Sequence, residues 1–286
     1  MGDQADEARN QAMLVEFLNV VQDRLDQVSR SNDAAFDQLA AVDLQLGDLR
    51  AIAARNFGPF AAVEVRAARP VATTSRDHLY PTGTIQDNTR HPRFFQACER
   101  HFGRRLRYLD LGCSGGGLVF DARLRGHLGI GIEGSDASFQ AQRAEWRTIP
   151  EALFTGDITQ PFGVFDKATG VALDFDVISA WEVLEHLEEG DLPQLFANVL
   201  AHLAPSGLFV GSVSMVPEIL SNGVDLHRTI RPREWWQAVF GASGFTAAPV
   251  PVFAFGDFPR GIGKGRLDPD YGRTPDNGFH FVMMRV

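Results

Sequence analysis

The chain has 286 residues, 44% of them hydrophobic and 22% charged, and carries a formal net charge of −9. Those values suit a globular protein of one main domain with an appendage, and the negative charge argues against broad affinity for nucleic-acid phosphates. No apolar run approaches the roughly 20 residues that a membrane-spanning helix needs.

The acidic start, Met1-Gly-Asp-Gln-Ala-Asp-Glu, lacks the basic-then-apolar layout of a signal peptide. Two cysteines, Cys98 and Cys113, make neither a disulfide framework nor a pair of metal ligands. A cytoplasmic location is therefore expected.

Residues 12 to 50 place Leu14, Leu18, Val21, Leu25, Val28, Leu39, Val42, Leu46 and Leu49 at alternating four-three spacing. With Leu14 as d, the a positions are Leu18, Leu25, Asn32, Leu39 and Leu46. A single Asn at a commonly fixes register and two-strandedness in parallel coiled coils. Residues 1–55 are thus expected to form an oligomerising helix, most simply of a homodimer; an amphipathic helix packed on its own domain fits the same spacing. Residues 56–105 read as a connector and polar cap segment, with breakers at Gly58-Pro59 and Arg69-Pro70. Within it, Ser75 to Arg90 is rich in hydrogen-bonding side chains, a composition unlike that of a plain linker.

From residue 106 to 286 the pattern is strand, glycine turn, helix, strand, the alternation of a parallel α/β sheet. Leu109-Asp-Leu-Gly-Cys-Ser-Gly-Gly-Gly117 reads as an apolar strand entering a glycine-rich turn, and Gly131-Ile-Glu133-Gly134 as a second strand ending in a carboxylate. An acidic residue about 20 positions after such a turn suits a ribose diol. The turn spacing, Gly112-x-x-Gly115, departs from G-x-G-x-x-G and favours a nucleoside without a pyrophosphate. Phe175–Ser179 reads as a buried central strand and Leu192–Leu203 as a helix stopped by Pro205-Ser-Gly207. Leu208–Val213 follows as a strand, Arg233–Phe240 as a helix, and Gly278–Arg285 as a last strand. Between those last two, Gly256–Asn277 carries Arg260, Lys264 and Arg266 among glycines. It suits a mobile lid, a seat for an anionic acceptor, or a solvated loop.

The turn, the carboxylate and two later motifs together resemble the class I S-adenosylmethionine-dependent methyltransferases over residues 106–246. The resemblance implies a Rossmann-like, mostly parallel seven-stranded α/β sheet with helices on both faces, here preceded by the helical coiled coil. It also implies S-adenosylmethionine as cofactor. Asp110, Gly112, Cys113, Ser114 and Gly115 match the family's first motif; Glu133, with Gly134 and Ser135, matches the ribose-holding second strand. Asp157 and Ile158 match the adenine-facing third motif, while Trp181 and Glu182 open the fourth, Trp181-Glu-Val-Leu-Glu-His186. His227, ahead of Pro232 and Trp235, matches a histidine that faces the sulfonium, which makes it the expected general base; His186 is the second candidate. Ser75–Arg90 resembles an element found in a bacterial subset associated with glycan synthesis. It supplies His78, Tyr80, Thr84, Asn88 and Arg90 as acceptor contacts, with Arg228 from the segment after His227.

The expected reaction is methylation of a hydroxyl, of a sugar or glycan or of a small phenolic or carboxylic metabolite. Competing readings are a coiled-coil assembly subunit with a vestigial cofactor site, which the intact motifs disfavour, and a nicotinamide-dependent dehydrogenase, which the turn spacing disfavours. No divalent metal is expected, because no Asp/Asp/Asn cluster stands out.

Overall fold

The computed structural model describes residues 62–264 and 268–286, together with Val21 and Arg24. The predicted heptad segment lies outside the described residues apart from Val21 and Arg24, both helical, and Arg266 lies outside them too. The chain divides into two units, Met1–Gly58 and Pro59–Val286; every strand described below belongs to the second.

Among the described residues nine strands are formed: β1 (Val63–Ala67), β2 (Arg107–Leu111), β3 (Leu128–Glu133), β4 (Leu153–Thr155), β5 (Phe162–Asp166), β6 (Phe175–Trp181), β7 (Leu203–Ser214), β8 (Phe245–Ala247) and β9 (Gly278–Arg285). Seven make one sheet in the order β4-β3-β2-β6-β7-β9-β8. Pairing is parallel from β4 to β7, and only the pairs that β9 makes are antiparallel. The strand order reverses direction at β2, flanked by β3 and β6, so the crevice beyond the carboxyl ends of these strands is where a ligand is expected.

Residues buried on both faces of a parallel sheet read as a continuous apolar run, and all seven residues of β6 are buried. From Val177 onward its side chains alternate. Ile178 and Ala180 enter a core with Leu195, Phe196 and Val199 of the helix Leu192–His202. Val177 and Trp181 enter the opposite core with Phe94 and Phe95 of the helix Pro92–Phe102 and Val119 of the helix Gly117–Leu124.

The helix Pro92–Phe102, inside the predicted connector, and the strands β4, β5 and β8 were not placed by the sequence reading, and two further features differ from it. The connector contains β1, which pairs antiparallel with β5 as a separate two-stranded sheet. Five residues between proline and glycine breakers carry too short an alternation to announce a strand. Pro205-Ser-Gly207 does not follow a helix end as a free turn but lies inside β7, where the pairing with β6 shifts register between Phe175 and Val177. Among the described residues no helix is long and apolar enough to cross a membrane.

Asn198 on the helix Leu192–His202 donates through Nδ2 to the carbonyls of Ile158 (2.9 Å) and Gln160 (2.8 Å), fixing the loop after β4. Asn198→Ala leaves both carbonyls short of a donor. It is expected to lower unfolding free energy by about 1–3 kcal/mol in denaturant titration; an unchanged midpoint would contradict the assignment.

Candidate active site

β2 ends in the glycine turn, and the turn is built by bonds to its neighbours. Gly112 (φ 72°) and Gly116 (φ 85°) take left-handed backbone, and a Cβ on Gly112 would lie 2.5 Å from Val183 Cγ2. Ser114 takes the same region at φ 48° without being glycine, a strain on the order of 1–3 kcal/mol. Three bonds hold it there. Its N–H donates to Glu133 Oε2 (2.7 Å), its hydroxyl donates to the carbonyl of Thr84 (2.7 Å) beside that of Asp87 (3.0 Å), and its carbonyl accepts from Trp146 Nε1 (2.7 Å). Glu133 Oε1 accepts from the N–H of Ser135 at 3.0 Å. Burial pushes the Glu133 carboxyl up to about 7, against the lowering by those two N–H bonds.

The polar cap therefore sits directly on the turn. A Cβ on Gly115 would lie 2.6 Å from Asn88 Oδ1 and 2.8 Å from the Asp87 carbonyl. Arg143 donates to the Thr84 carbonyl at 2.7 Å and also to that of Asp87. The Gly134 carbonyl accepts from Ala72 N, and Cys113 is buried against Gly131 with its thiol pushed up by burial. Asp110 faces the sheet interior. Ser179 Oγ donates to its Oδ1 at 2.5 Å, so Tyr108 must donate to Ser179 in turn, at 2.7 Å. Burial pushes the Asp110 carboxyl up to about 7.

Asp157 is buried after β4 with both oxygens engaged: Oδ2 by Arg69 (2.9 Å), Oδ1 by the backbone and hydroxyl of Thr159 (3.0 and 2.6 Å). Ile158 beside it packs into the core. Arg69, in the predicted connector, carries no motif and was not a candidate.

Beyond β6 a second group assembles. Glu182 takes left-handed backbone (φ 54°), and its Oε2 accepts from the buried Tyr271 hydroxyl at 2.8 Å while Oε1 has no partner. Glu185 is fully buried; Oε1 accepts from Ser214 N (2.6 Å) and Oε2 has no partner. His186 Nδ1 lies 3.0 Å from Asp77 of the cap. His227 Nδ1 lies 2.5 Å from the carbonyl of Val216, which it can approach only as donor, and Nε2 lies 3.4 Å from Glu218. The two imidazoles meet edge to face with centroids 4.7 Å apart.

Burial pulls the His186 ring down, but Asp77, then Glu185 and Glu218, overcome it and raise it to about 9. Burial likewise opposes charge on His227, and the bond to Glu218 is the chief influence that leaves it raised. Burial, reinforced by Glu182, pushes Glu185 up to about 7. At neutral pH His186 holds its proton, which removes it as a base; His227, raised as well, must first release the proton that it shares with Glu218. Glu218, Asp77 and Tyr271 were not among the predicted site residues; Asp77 lies in the Ser75–Arg90 element without having been singled out, Glu218 and Tyr271 stand in no motif, and only the fold brings the three to this edge.

The predicted acceptor contacts divide. His78 lies 3.5 Å from Asp136, Tyr80 is exposed, and Thr84 serves the turn through its carbonyl. Asn88 Nδ2 reaches Glu145 at 3.4 Å while Oδ1 stays buried without a partner. Arg90 pairs with the buried Asp121 and covers Phe120, and Arg228 pairs with Glu188 at the surface. Arg260 donates to Asp87 at 2.9 Å and Lys264 Nζ lies 3.0 Å from His91, so these cations pin the Gly256–Asn277 segment to the cap. A cleft of about 530 Å³ is lined by Met215, Ile230, Arg231, Arg233 and Pro275 among others.

The edge fits a cationic nucleoside cofactor. Glu133 has lone pairs left for a ribose diol, Glu182 Oε1 and Asn88 Oδ1 are buried acceptors lacking donors, and the turn's missing side chains leave its backbone approachable. Asp157 fits an adenine amino group only by sharing oxygens that Arg69 and Thr159 already use.

A family model described as a methyltransferase domain matches residues 84–244, more than half of the chain. The ubiquinone biosynthesis O-methyltransferases of Brucella ovis and Brucella canis are each 34% identical over 110 residues, 38% of this chain and 42% of the relative. The match thus spans well under half the length of those relatives. Among solved structures, PH0226 protein from Pyrococcus horikoshii OT3 aligns with TM-score 0.45 and 14% identity, covering 76% of this chain and 95% of that one. The glycopeptide N-methyltransferase MtfA complexed with S-adenosyl-L-methionine aligns with TM-score 0.43 and 19% identity, covering 69% and 95%.

The Asp110 carboxyl keeps its proton in the fold up to about pH 7, whereas in the unfolded chain it ionises near 3.9. Wild-type stability should therefore fall across that window, by a few kcal/mol, at about 1.4 kcal/mol for each tenfold difference in proton affinity between the two states. Asp110→Asn keeps an acceptor for Ser179 and removes the titration. Its stability relative to wild type should climb between about pH 4 and 7 and then level off; a difference that does not change with pH would refute the burial argument.

Proposed function

Because the chain belongs to the methyltransferase-domain family and is an S-adenosylmethionine-dependent methyltransferase, we propose that it methylates a hydroxyl oxygen, of a sugar or glycan-linked acceptor. One observation carries the choice of oxygen: His227, with Nδ1–H fixed on the Val216 carbonyl, sets Nε2 3.4 Å from the half-exposed Glu218 carboxylate. A hydroxyl must lose its proton to attack carbon, and an imidazole that can pass its Nε2 proton to a neighbouring carboxylate is suited to take it. The relatives' O-methyltransferase activity supports oxygen over nitrogen. The sugar assignment rests on the polar cap and its likeness to the glycan-associated subset. A small-metabolite hydroxyl is the second reading, favoured by the relatives' place in ubiquinone biosynthesis.

When bound, the cofactor supplies a methyl group already activated on a sulfonium. The chain's part is alignment, exclusion of water and removal of the acceptor proton. Glu133 holds the ribose side. Glu182, fixed by Tyr271, and the other carboxylates of this edge provide negative charge for a cationic ligand. The cap closes over the turn. His227 receives the proton in the direct form of this reading, with His186 as its charged neighbour. Self-association through residues 1–55 and a cytoplasmic setting without nucleic-acid or membrane partners complete the proposal. Removing residues 1–50 should turn an oligomer into a monomer on light scattering; an unchanged assembly state would refute it.

Calorimetry should show S-adenosylhomocysteine binding and no NAD binding. Glu133→Ala should weaken it 100-fold or more, at about 1.5–3 kcal/mol per bond to a charged group. His227→Ala should keep it but cut turnover by about 10²–10⁴. Equal loss of binding and turnover in His227→Ala would make the residue structural.

As a base, His227 works only when deprotonated. Activity should fall as pH drops through a value above the ordinary histidine value of 6.5, and Glu218→Gln should move that limb down. A limb unmoved by Glu218→Gln would remove His227 from the proton step. A methyl-transfer screen of nucleotide sugars and glycans against small phenols decides the acceptor.

A further inference from the structure

We propose that Glu185, His186 and His227 hold a divalent transition-metal ion of the zinc class beside the acceptor. Ion binding itself needs nothing from the hydroxyl-methylation reading; only the role given to the ion below rests on it.

One ligand atom from each of the three residues lies within 4.8 Å of the other two. They come from two separate segments, the turn after β6 and the loop after β7, so the grouping is a product of the fold and not of sequence adjacency. Glu185 is 0% exposed, one oxygen bonded to Ser214 N and the other without a partner. A carboxylate oxygen taken from water and left unpartnered is costly, and a cation is the group that would match it.

His227 is held at Nδ1 by the Val216 carbonyl, and His186 Nδ1 lies 3.0 Å from the Asp77 carboxylate without a formed hydrogen bond. An ion would take Nε2 of His227 in place of the contact that this nitrogen makes with Glu218 at 3.4 Å, and one ring nitrogen of His186. A carboxylate or carbonyl on the far nitrogen is the usual support of a metal-bound histidine. Asp77, Glu182, Glu185 and Glu218 set four carboxylates around the two imidazoles, so the pocket favours added positive charge.

Two imidazoles and one carboxylate suit Zn²⁺, Mn²⁺, Co²⁺ or Fe²⁺ and not Mg²⁺ or Ca²⁺. Metal–ligand bonds of about 2.1 Å put tetrahedral ligands about 3.4 Å apart, so side-chain rotation must close the group slightly. Three protein ligands leave a position open. An acceptor hydroxyl bound there loses its proton more readily because the alkoxide oxygen is stabilised by the ion. The proton leaves through Glu218, which is half exposed at the mouth, to solvent. In this form His227 is a ligand, and the ion does what the free imidazole does in the direct form.

The test uses the full, tag-free chain freed of metal with EDTA. It is titrated with Co²⁺ and followed by visible absorption, with zinc content after equilibrium dialysis measured by mass spectrometry. One equivalent per chain is expected, with the absorption of a low-coordinate Co²⁺ centre. Binding should weaken at least tenfold in Glu185→Gln and in His227→Ala, while S-adenosylhomocysteine affinity stays unchanged as evidence of an intact fold. Absence of binding, or binding that survives both substitutions, overturns the site. Full methyl transfer in the metal-free protein overturns the role given to the ion and leaves direct proton removal by His227 standing. Stoichiometric binding lost in both variants, without methyl transfer to any hydroxyl, supports the site and removes only the hydroxyl reading.

Discussion

The carboxylate of Glu133, accepting from Ser114 N and Ser135 N, is the contact on which the rest of this edge depends. It joins the ends of two adjacent parallel strands and holds Ser114 in a left-handed conformation that its side chain disfavours. Once Ser114 is turned, its hydroxyl reaches the carbonyls of the cap, and the side-chain-free surface of Gly115 and Gly117 receives Asp87, Asn88 and Thr89. With the cap so placed, Asp77 comes within 3.0 Å of His186. A carboxylate at the end of β3 thus sets the Asp77–His186 contact beyond β6.

This dependence explains why some of the site was legible in sequence and some was not. Strand-to-turn transitions leave local marks: a buried apolar run, glycines where φ is positive, a carboxylate at the strand end. Asp110, Gly112, Glu133 and the Trp181–His186 turn carry such marks, and the parallel order of the sheet follows from their spacing. Arg69, Glu218 and Tyr271 carry none, and Asp77 only its place in the polar Ser75–Arg90 element. Each is an ordinary polar residue whose role comes from the partner that folding delivers: Asp157, His186, His227 and Glu182. The strand β1 was hidden for a related reason, since its pairing with β5 is long-range and its own pattern spans five residues.

The cap shows the same division within one segment. Its polar side chains looked suited to an acceptor, yet much of its work is done by backbone carbonyls, at Thr84 and Asp87, while Arg90 spends its charge on Asp121. Side-chain composition advertises hydrogen-bonding capacity but not its direction. What remains available toward a ligand is the short set that lacks partners, Asn88 Oδ1 among it.

Charge gives the edge its chemical character. Several carboxylates are carried into the interior, and burial holds Glu133, Asp110 and Glu185 near 7. The same negative surroundings raise both histidines. Such an edge is poorly balanced alone and better balanced with positive charge brought in, whether a proton, a sulfonium or an ion. Each ligand that adds positive charge should therefore lower the carboxyl pKa values and expel protons from the imidazoles, because one field acts on all of them. Under the proposed reading, a cationic donor bound at Glu133 and Glu182 then favours the deprotonated state of His227, and by this coupling the arrival of the methyl donor readies the group that acts on the acceptor.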